Sequence, residues 1–325
     1  GKFHGWNLAF LAAAAVMVIG VVIFLATKKH LGPIGNSPLL NLDPKKRNIR
    51  EIAVYVGALL LIPVIHAMIE NTDYTDYFMY AIGPVALIYF FYELSRQETN
   101  AIQKKLIAAL LFILFSIIFF AFFEQSGGSL SLFAKDNLST NLLFFTIDPN
   151  IVNNISNAFF VILFAPLIGL VWVALSKRNL EPNTVIKFGL GFLFLAGSFF
   201  ILYATKFFAG PDGITSLNIF TSAYLIMTFG ELCLSPIGLS IITKLSPNRL
   251  VGMMMGLWFL ASAYGQYVAG LLGAGMAAPD ENATNLDKLN LYTEGYMQLG
   301  IYALIAGVVL IAISPIIRKL MQEVK

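Results

Sequence analysis

Long apolar runs separated by short polar connections make up the chain from end to end. A helix needs about 20 mostly apolar residues to cross a hydrocarbon core of ~30 Å. Nine stretches meet that length: 6–27, 51–70, 77–94, 106–130, 151–175, 184–208, 218–243, 251–276 and 295–317. Leu, Phe, Ile and Ala fill them, and none shows the period-two alternation of a membrane β-barrel strand. Pro63, Pro84, Pro166 and Pro236 fall inside spans, which membrane helices tolerate. The pattern predicts an all-α polytopic membrane protein with nine transmembrane helices.

Composition removes the other classes. Of 325 residues, 58% are hydrophobic and 12% charged, too few polar groups to cover a soluble surface. A net charge of +3, with no basic run interleaved with aromatics, leaves no nucleic-acid partner. Cys233 is the single cysteine, and His4, His30 and His66 lie far apart without an HExxH pair, so neither a disulfide framework nor a metal site is expected. There is no GxSxG elbow, Walker loop or GxGD pair, and the chain does not read as an enzyme. The Asn-x-Ser/Thr triplets at Asn137 and Asn282 fall in loops and carry little weight.

Orientation follows from Lys and Arg in short loops. Counting alternate connections, seventeen of these residues fall on one side, including Lys45, Lys46, Arg47, Lys177, Arg178, Lys244, Arg318 and Lys319. Four fall on the other: Lys2, Lys135, Lys206 and Lys288. The split places the C-terminus in the cytoplasm and the N-terminus outside. Segment 28–50 is the one long polar linker, and the pair 51–70 and 77–94, joined by a tight acidic loop from Asn71 to Asp76, reads as an accessory hairpin. The start at Gly1 suggests a piece of a longer protein.

Carboxylates in hydrocarbon cost at least ~2.5–3.5 kcal/mol on insertion scales and normally face a cavity or partner. Only Glu124 and Glu231 lie deep within spans, and no basic residue lies as deep. Their partners are therefore expected to be protons, a substrate, or groups outside the chain. Asn157 sits two turns into its span, where interhelical hydrogen bonding would account for it. Ser235 follows Glu231 by one turn on the same face, and Pro236 weakens the helix beside them. Trp258 lies deep enough to be either an interfacial anchor or a pocket residue. Gly127–Gly128, Gly252, Gly256, Gly270, Gly273 and Gly275 allow close helix approach.

Two stretches carry a resemblance. FFAFFEQSGGSLSLFA (119–134) and FGELCLSPIGLSIITKLSPNRLVGMMMGLWFL (229–260) resemble the proton-coupled oligopeptide transporters of the major facilitator superfamily. By that resemblance, residues 1–27 correspond to the last helix of an N-terminal bundle, 28–50 to a cytoplasmic linker, 51–94 to an accessory transmembrane hairpin and 106–325 to a C-terminal six-helix bundle. The first five helices of the family lie outside the chain and become an expected partner, beside small peptides and the lipid bilayer.

The resemblance also implies roles. Glu231 would receive the peptide ammonium group, with Asn157, Ser235, Trp258 and Phe120 lining the substrate pocket. Glu124, with Glu231, would serve proton coupling and gating. Ala158 stands where the family usually has proline, and Phe119–Phe120 where it commonly has Phe-Trp. The implied activity is proton-driven symport of di- and tripeptides across the inner membrane by alternating access, with protons as coupling ion and no cofactor. A same-fold carrier of nitrate or an amino acid, and a non-transporting receptor with this fold, are the alternatives.

Overall fold

The computed structural model describes residues 5–32, 38–277 and 283–322; His4, Asn282 and Lys325 lie outside them. The fold is all-α, with one two-residue hairpin. In order, the elements are α1 (Trp6–Thr27), α2 (Pro44–Glu70), α3 (Thr72–Ser95), α4 (Asn100–Phe123), α5 (Ser129–Asn137), β1 (Asn141–Leu142), β2 (Phe145–Thr146) and α6 (Pro149–Lys177). Then follow α7 (Thr184–Ala204), α8 (Leu217–Leu245), α9 (Val251–Met276), α10 (Asn285–Ala312) and α11 (Ser314–Met321).

Eight helical stretches among the described residues are long and apolar enough to cross a membrane, each over one of the predicted spans. The remaining predicted span, 251–276, is α9: it has no charged residue but is made more polar by Ser262, Tyr264, Gln266 and Tyr267. The chain is a multi-pass membrane protein.

Two local expectations are corrected. The loop predicted from Asn71 to Asp76 is a single extended residue, Asn71, whose Oδ1 accepts the Asp73 N–H at 3.0 Å, and α3 begins at Thr72. Asp73 in its first turn suits the positive end of the helix dipole. The predicted span 106–130 is not continuous either. It stops at Phe123, passes through one 3-10 turn (Glu124–Gly127) and restarts at Ser129. Two adjacent glycines, Gly127 ending that turn and Gly128 after it, supply the weak helix propensity that permits the break.

The chain divides into two units, Gly1–Tyr80 and Ala81–Lys325. In the first, α2 buries none of its residues, and the described side chains of α1 are exposed or nearly so along the helix. Between α2 and α3, the Thr75 hydroxyl donates to the Met68 carbonyl at 2.8 Å.

The second unit has a continuous core rich in Phe, including Phe112, Phe119, Phe188, Phe192 and Phe199. Its centre is α7, which packs along both α8 and α10. Bare backbone makes both contacts close. A Cβ on Gly230 would stand 2.7 Å from the Gly191 carbonyl oxygen, and one on Gly191 2.9 Å from that of Gly230. On the α10 side, a Cβ on Gly307 would stand 3.1 Å from the Gly189 oxygen. Small residues let membrane helices approach in this way.

At one end of the unit, the buried Asn137 holds two loops: its amide donates to the carbonyls of Gly213 (2.9 Å) and Asn285 (2.6 Å). Those bonds use the nitrogen a glycan would need. Gly213 has φ +73°, and a Cβ there would lie 2.5 Å from the Leu286 nitrogen, so the turn requires glycine. At the opposite end, Lys187 is 8% exposed. Its ammonium donates to Glu181 at 2.5 Å and lies 4.7 Å from the Trp172 ring centroid. The hydrogen bond from Lys187, then that from Ser176, holds the Glu181 carboxyl below its ordinary value of 4.5.

Gly230→Ala should lower stability by about 1–3 kcal/mol, because α7 and α8 must part, whereas Gly252→Ala, with open space around it, should leave the apparent Tm unchanged; equal melts would refute the contact. The Glu181 shift sets a pH test. A depressed carboxylate stabilises the fold above its unfolded-state value and loses that contribution as pH falls through the folded-state value. Glu181→Gln should therefore melt below the parent at pH 7, with the gap closing below pH about 4.

Candidate functional site

The break after α4 is closed by Gln125, which is fully buried. Its Nε2 donates to the carbonyls of Ala121 (3.1 Å) and Ala269 (3.3 Å), and its Oε1 accepts from the Ser129 hydroxyl at 2.8 Å. These bonds join α4, α5 and α9 at one point. Gly273 makes the approach possible, since a Cβ there would lie 3.2 Å from the Ser129 nitrogen.

From the break, a polar seam runs between α6 and α8. Asn153 of α6 donates to the Ser126 carbonyl at 2.9 Å and accepts from the Tyr224 hydroxyl of α8 at 2.5 Å. One turn on, the Thr228 hydroxyl is shared between the Tyr224 carbonyl (2.8 Å) and Asn157 Oδ1 (2.9 Å). Asn157 in turn lies beside the Glu231 carboxyl. Glu231 is the central residue of α8, with Ser235 one turn further.

Glu231 Oε2 and Ser235 Oγ are buried and have no hydrogen-bond partner among the described residues. An unpaired buried polar atom costs about 1–3 kcal/mol, so two of them a turn apart form a surface suited to donors from elsewhere. Glu124 stands beside Gln266 of α9 and within electrostatic reach of both Glu231 and Tyr224. Two acids thus share one field without a cation beside them among the described residues.

Phe120 and Trp258 form a second group. Both are buried, with ring centroids 6.4 Å apart. The Trp258 ring fits against bare backbone on α8, where a Cβ on Gly238 would fall 2.0 Å from its Cη2. Gly238 follows Ser235 by three residues, so this aromatic wall adjoins the end of the polar seam. Phe188 closes it from α7, 6.4 Å from Trp258.

All the predicted site residues thus lie along one path: Glu124, Asn157, Glu231 and Ser235 on the seam, Phe120 and Trp258 beside it. Gln125, Asn153, Tyr224, Thr228 and Gln266 were not among the sequence candidates. The signal was present on α8, where Tyr224, Thr228, Glu231 and Ser235 follow at intervals of 4, 3 and 4, a single helical stripe. On α6, Asn153 precedes Asn157 by one turn.

Comparison with known proteins fixes the family. A family model described as the POT family matches residues 1–289. The chain belongs to the POT family. A relative in this family, the peptide transporter YePEPT of Yersinia enterocolitica subsp. palearctica, is 30% identical over 346 residues, covering 99% of the chain and 64% of the relative. The dipeptide and tripeptide permease A of Pectobacterium carotovorum subsp. carotovorum is 26% identical over 321 residues, covering 99% and 62%.

Among solved structures, a glutamate-to-glutamine variant of a peptide transporter POT in complex with alafosfalin superposes with TM-score 0.75 at 30% identity, over 99% of the chain and 63% of that structure. A peptide transporter POT in complex with sulfate gives TM-score 0.73 at 29% identity, over 98% and 63%. The chain therefore spans a little under two thirds of the length of these POT relatives.

Gln125→Leu would leave the Ala269 carbonyl and the Ser129 hydroxyl without their amide partner, at a cost of about 1–3 kcal/mol. Amide hydrogen exchange over Ser129–Leu132 should rise in this variant. Unchanged exchange would mean that backbone bonds alone hold the break.

Proposed function

We propose that the protein is a proton-driven symporter of di- and tripeptides, working by alternating access in the bacterial cytoplasmic membrane with its C-terminus in the cytoplasm. The observation that carries this reading is the unpaired Glu231 Oε2 and Ser235 Oγ at the middle of α8, within the field of a second acid, Glu124. A zwitterionic peptide brings an ammonium group, the donor such a surface wants. The names of the relatives, peptide transporters and dipeptide and tripeptide permeases, point to the same substrate class, as does the alafosfalin complex of a similar structure. The collection of Lys and Arg in alternate loops supports the orientation.

In this reading Glu231 and Asn157 receive the peptide amino end, Ser235 supplies a further polar contact, and Phe120 and Trp258 bound the side-chain space. Glu124 is the coupling acid: a proton there changes the charge facing Glu231 and so the bias between the two openings. The site lies near the midplane, at the interface where transporter halves rock against each other. Protons are the only coupling species required, no cofactor enters, and no bond of the substrate is broken. The groups meeting the peptide carboxylate belong to the other half of the transporter.

The experiment is uptake of labelled dialanine by the intact protein in proteoliposomes under an imposed inward proton gradient. Accumulation above equilibrium, abolished by an uncoupler, is expected. Glu231→Gln removes a charge-assisted hydrogen bond worth about 1.5–3 kcal/mol, so uptake should fall at least about ten-fold. Glu124→Gln should keep peptide counterflow but lose pH-driven accumulation. Normal accumulation in Glu124→Gln would remove it from coupling, and uptake of labelled nitrate or a labelled amino acid that excess dialanine does not reduce would replace peptide as the substrate.

A further inference from the structure

Where α7 begins, α8 ends and α11 lies, a cavity of about 1220 Å³ opens that has no part in the peptide reading. Four cations line it, Lys187, Lys244, Arg318 and Lys319, against one carboxylate, Glu181. That carboxylate is bound to Lys187, so its charge is already matched. Lys244, Arg318 and Lys319 are exposed and none has a carboxylate partner among the described residues. Three unneutralised positive charges around one concave space produce a potential that selects anions.

The rest of the lining narrows the chemistry. Apolar side chains, among them Ile186, Ile237 and Pro315, share the wall with the cations. Such a wall suits a ligand with a charged head and a greasy body better than a hydrated free ion. α11 has the same two-sided character: Ile317 and Met321 are buried, while Ile316, Arg318 and Lys319 are exposed together. A short helix with this pattern lies naturally in a membrane interface. The Arg318 guanidinium offers the planar fork that fits phosphate oxygens, and the lysines act as point charges. Basic pockets between transmembrane helices take phospholipid head groups by this combination.

We propose that this cleft binds the phosphate of an anionic phospholipid from the leaflet at that end of the molecule, with Lys244, Arg318 and Lys319 as its ligands. The phosphate sits among the three cations and the acyl chains run along the apolar side. A free phosphate ion shares the head-group chemistry but leaves the apolar wall unused.

The test is native mass spectrometry on the detergent-purified, delipidated protein, titrated with dioctanoyl phosphatidylglycerol, dioctanoyl phosphatidylcholine or inorganic phosphate. One saturable phosphatidylglycerol should bind about ten-fold more tightly than phosphatidylcholine. Arg318→Gln with Lys319→Gln should weaken it at least about five-fold, and Arg318→Lys alone, which keeps the charge but loses the planar fork, should weaken it less. Lys104→Gln with Lys105→Gln, outside the cleft, should change nothing. Should the neutralised pair not fold, Lys244→Gln at the exposed end of α8 gives the same reading. Equal binding of the two lipids, or full binding by the cleft variants, would overturn the proposal. Displacement of phosphatidylglycerol by inorganic phosphate at comparable concentration would also overturn it, assigning the cleft to a soluble anion.

Discussion

The backbone contact between α7 and α8 decides where every other group on α8 points. At Gly191 and Gly230 the two helices approach so closely that each would meet the other's carbonyl oxygen with a Cβ. That contact leaves α8 no freedom to rotate about its axis. Successive residues of an α-helix turn by about 100°, so the residue after Gly230 cannot face α7. Glu231 is carried round to Asn157 on α6 and into the field of Glu124, and Thr228 and Ser235 follow on the same stripe. The site is in this sense a by-product of a glycine contact on a neighbouring face of the helix.

A second constraint is the accounting of polar groups in an apolar surrounding, where an unpaired donor or acceptor has no water to turn to. The seam meets it almost completely. Asn153 ties the break after Phe123 to Tyr224, and Thr228 ties Tyr224 to Asn157. Gln125 completes the break on the α9 side. Against that closed network, the open Glu231 Oε2 and Ser235 Oγ are the exceptions that carry meaning. Asn137 Oδ1, Trp172 Nε1 and the Tyr296 hydroxyl are unpaired too, but among the described residues only Glu231 and Ser235 place two such atoms a turn apart on one helix.

The helices were legible because hydrophobic length is a strong signal, and the two deep acids because ionisable groups are rare in such spans. What escaped depends on tertiary geometry. The break at Glu124 was hidden by an unbroken apolar character from residue 106 onward; Gly127–Gly128 marked the place but was read only as close packing. The start of α3 at Thr72 was missed because an acidic stretch resembles a loop, although Asp73 favours a helix beginning. Asn153, Tyr224 and Thr228 each look like ordinary interior polar residues, and only their shared stripe and their facing helices join them into one seam. Gly191 and Gly230 were invisible for the opposite reason: a lone glycine in an apolar span has many explanations until its neighbour is known.

α8 also connects the two ends of the argument. Its middle carries Glu231 and Ser235, and its last turns, from Pro236 through Ile237 to Lys244, line the basic cleft. Between them, Pro236 has no N–H to offer the Leu232 carbonyl, so the helix is weakest one turn after Glu231. The upper part of α8 is locked to α7 at Gly230, and the ring of Trp258 fills the space against Gly238 just beyond the proline. A bend at Pro236 would carry Gly238, against which the Trp258 ring packs, and Lys244 together, while the Gly230 contact keeps Glu231 in place. On the proposed assignments, a lipid phosphate held by Lys244 and Arg318 would resist that bend, and a peptide seated against Trp258 would meet the same resistance from the other side.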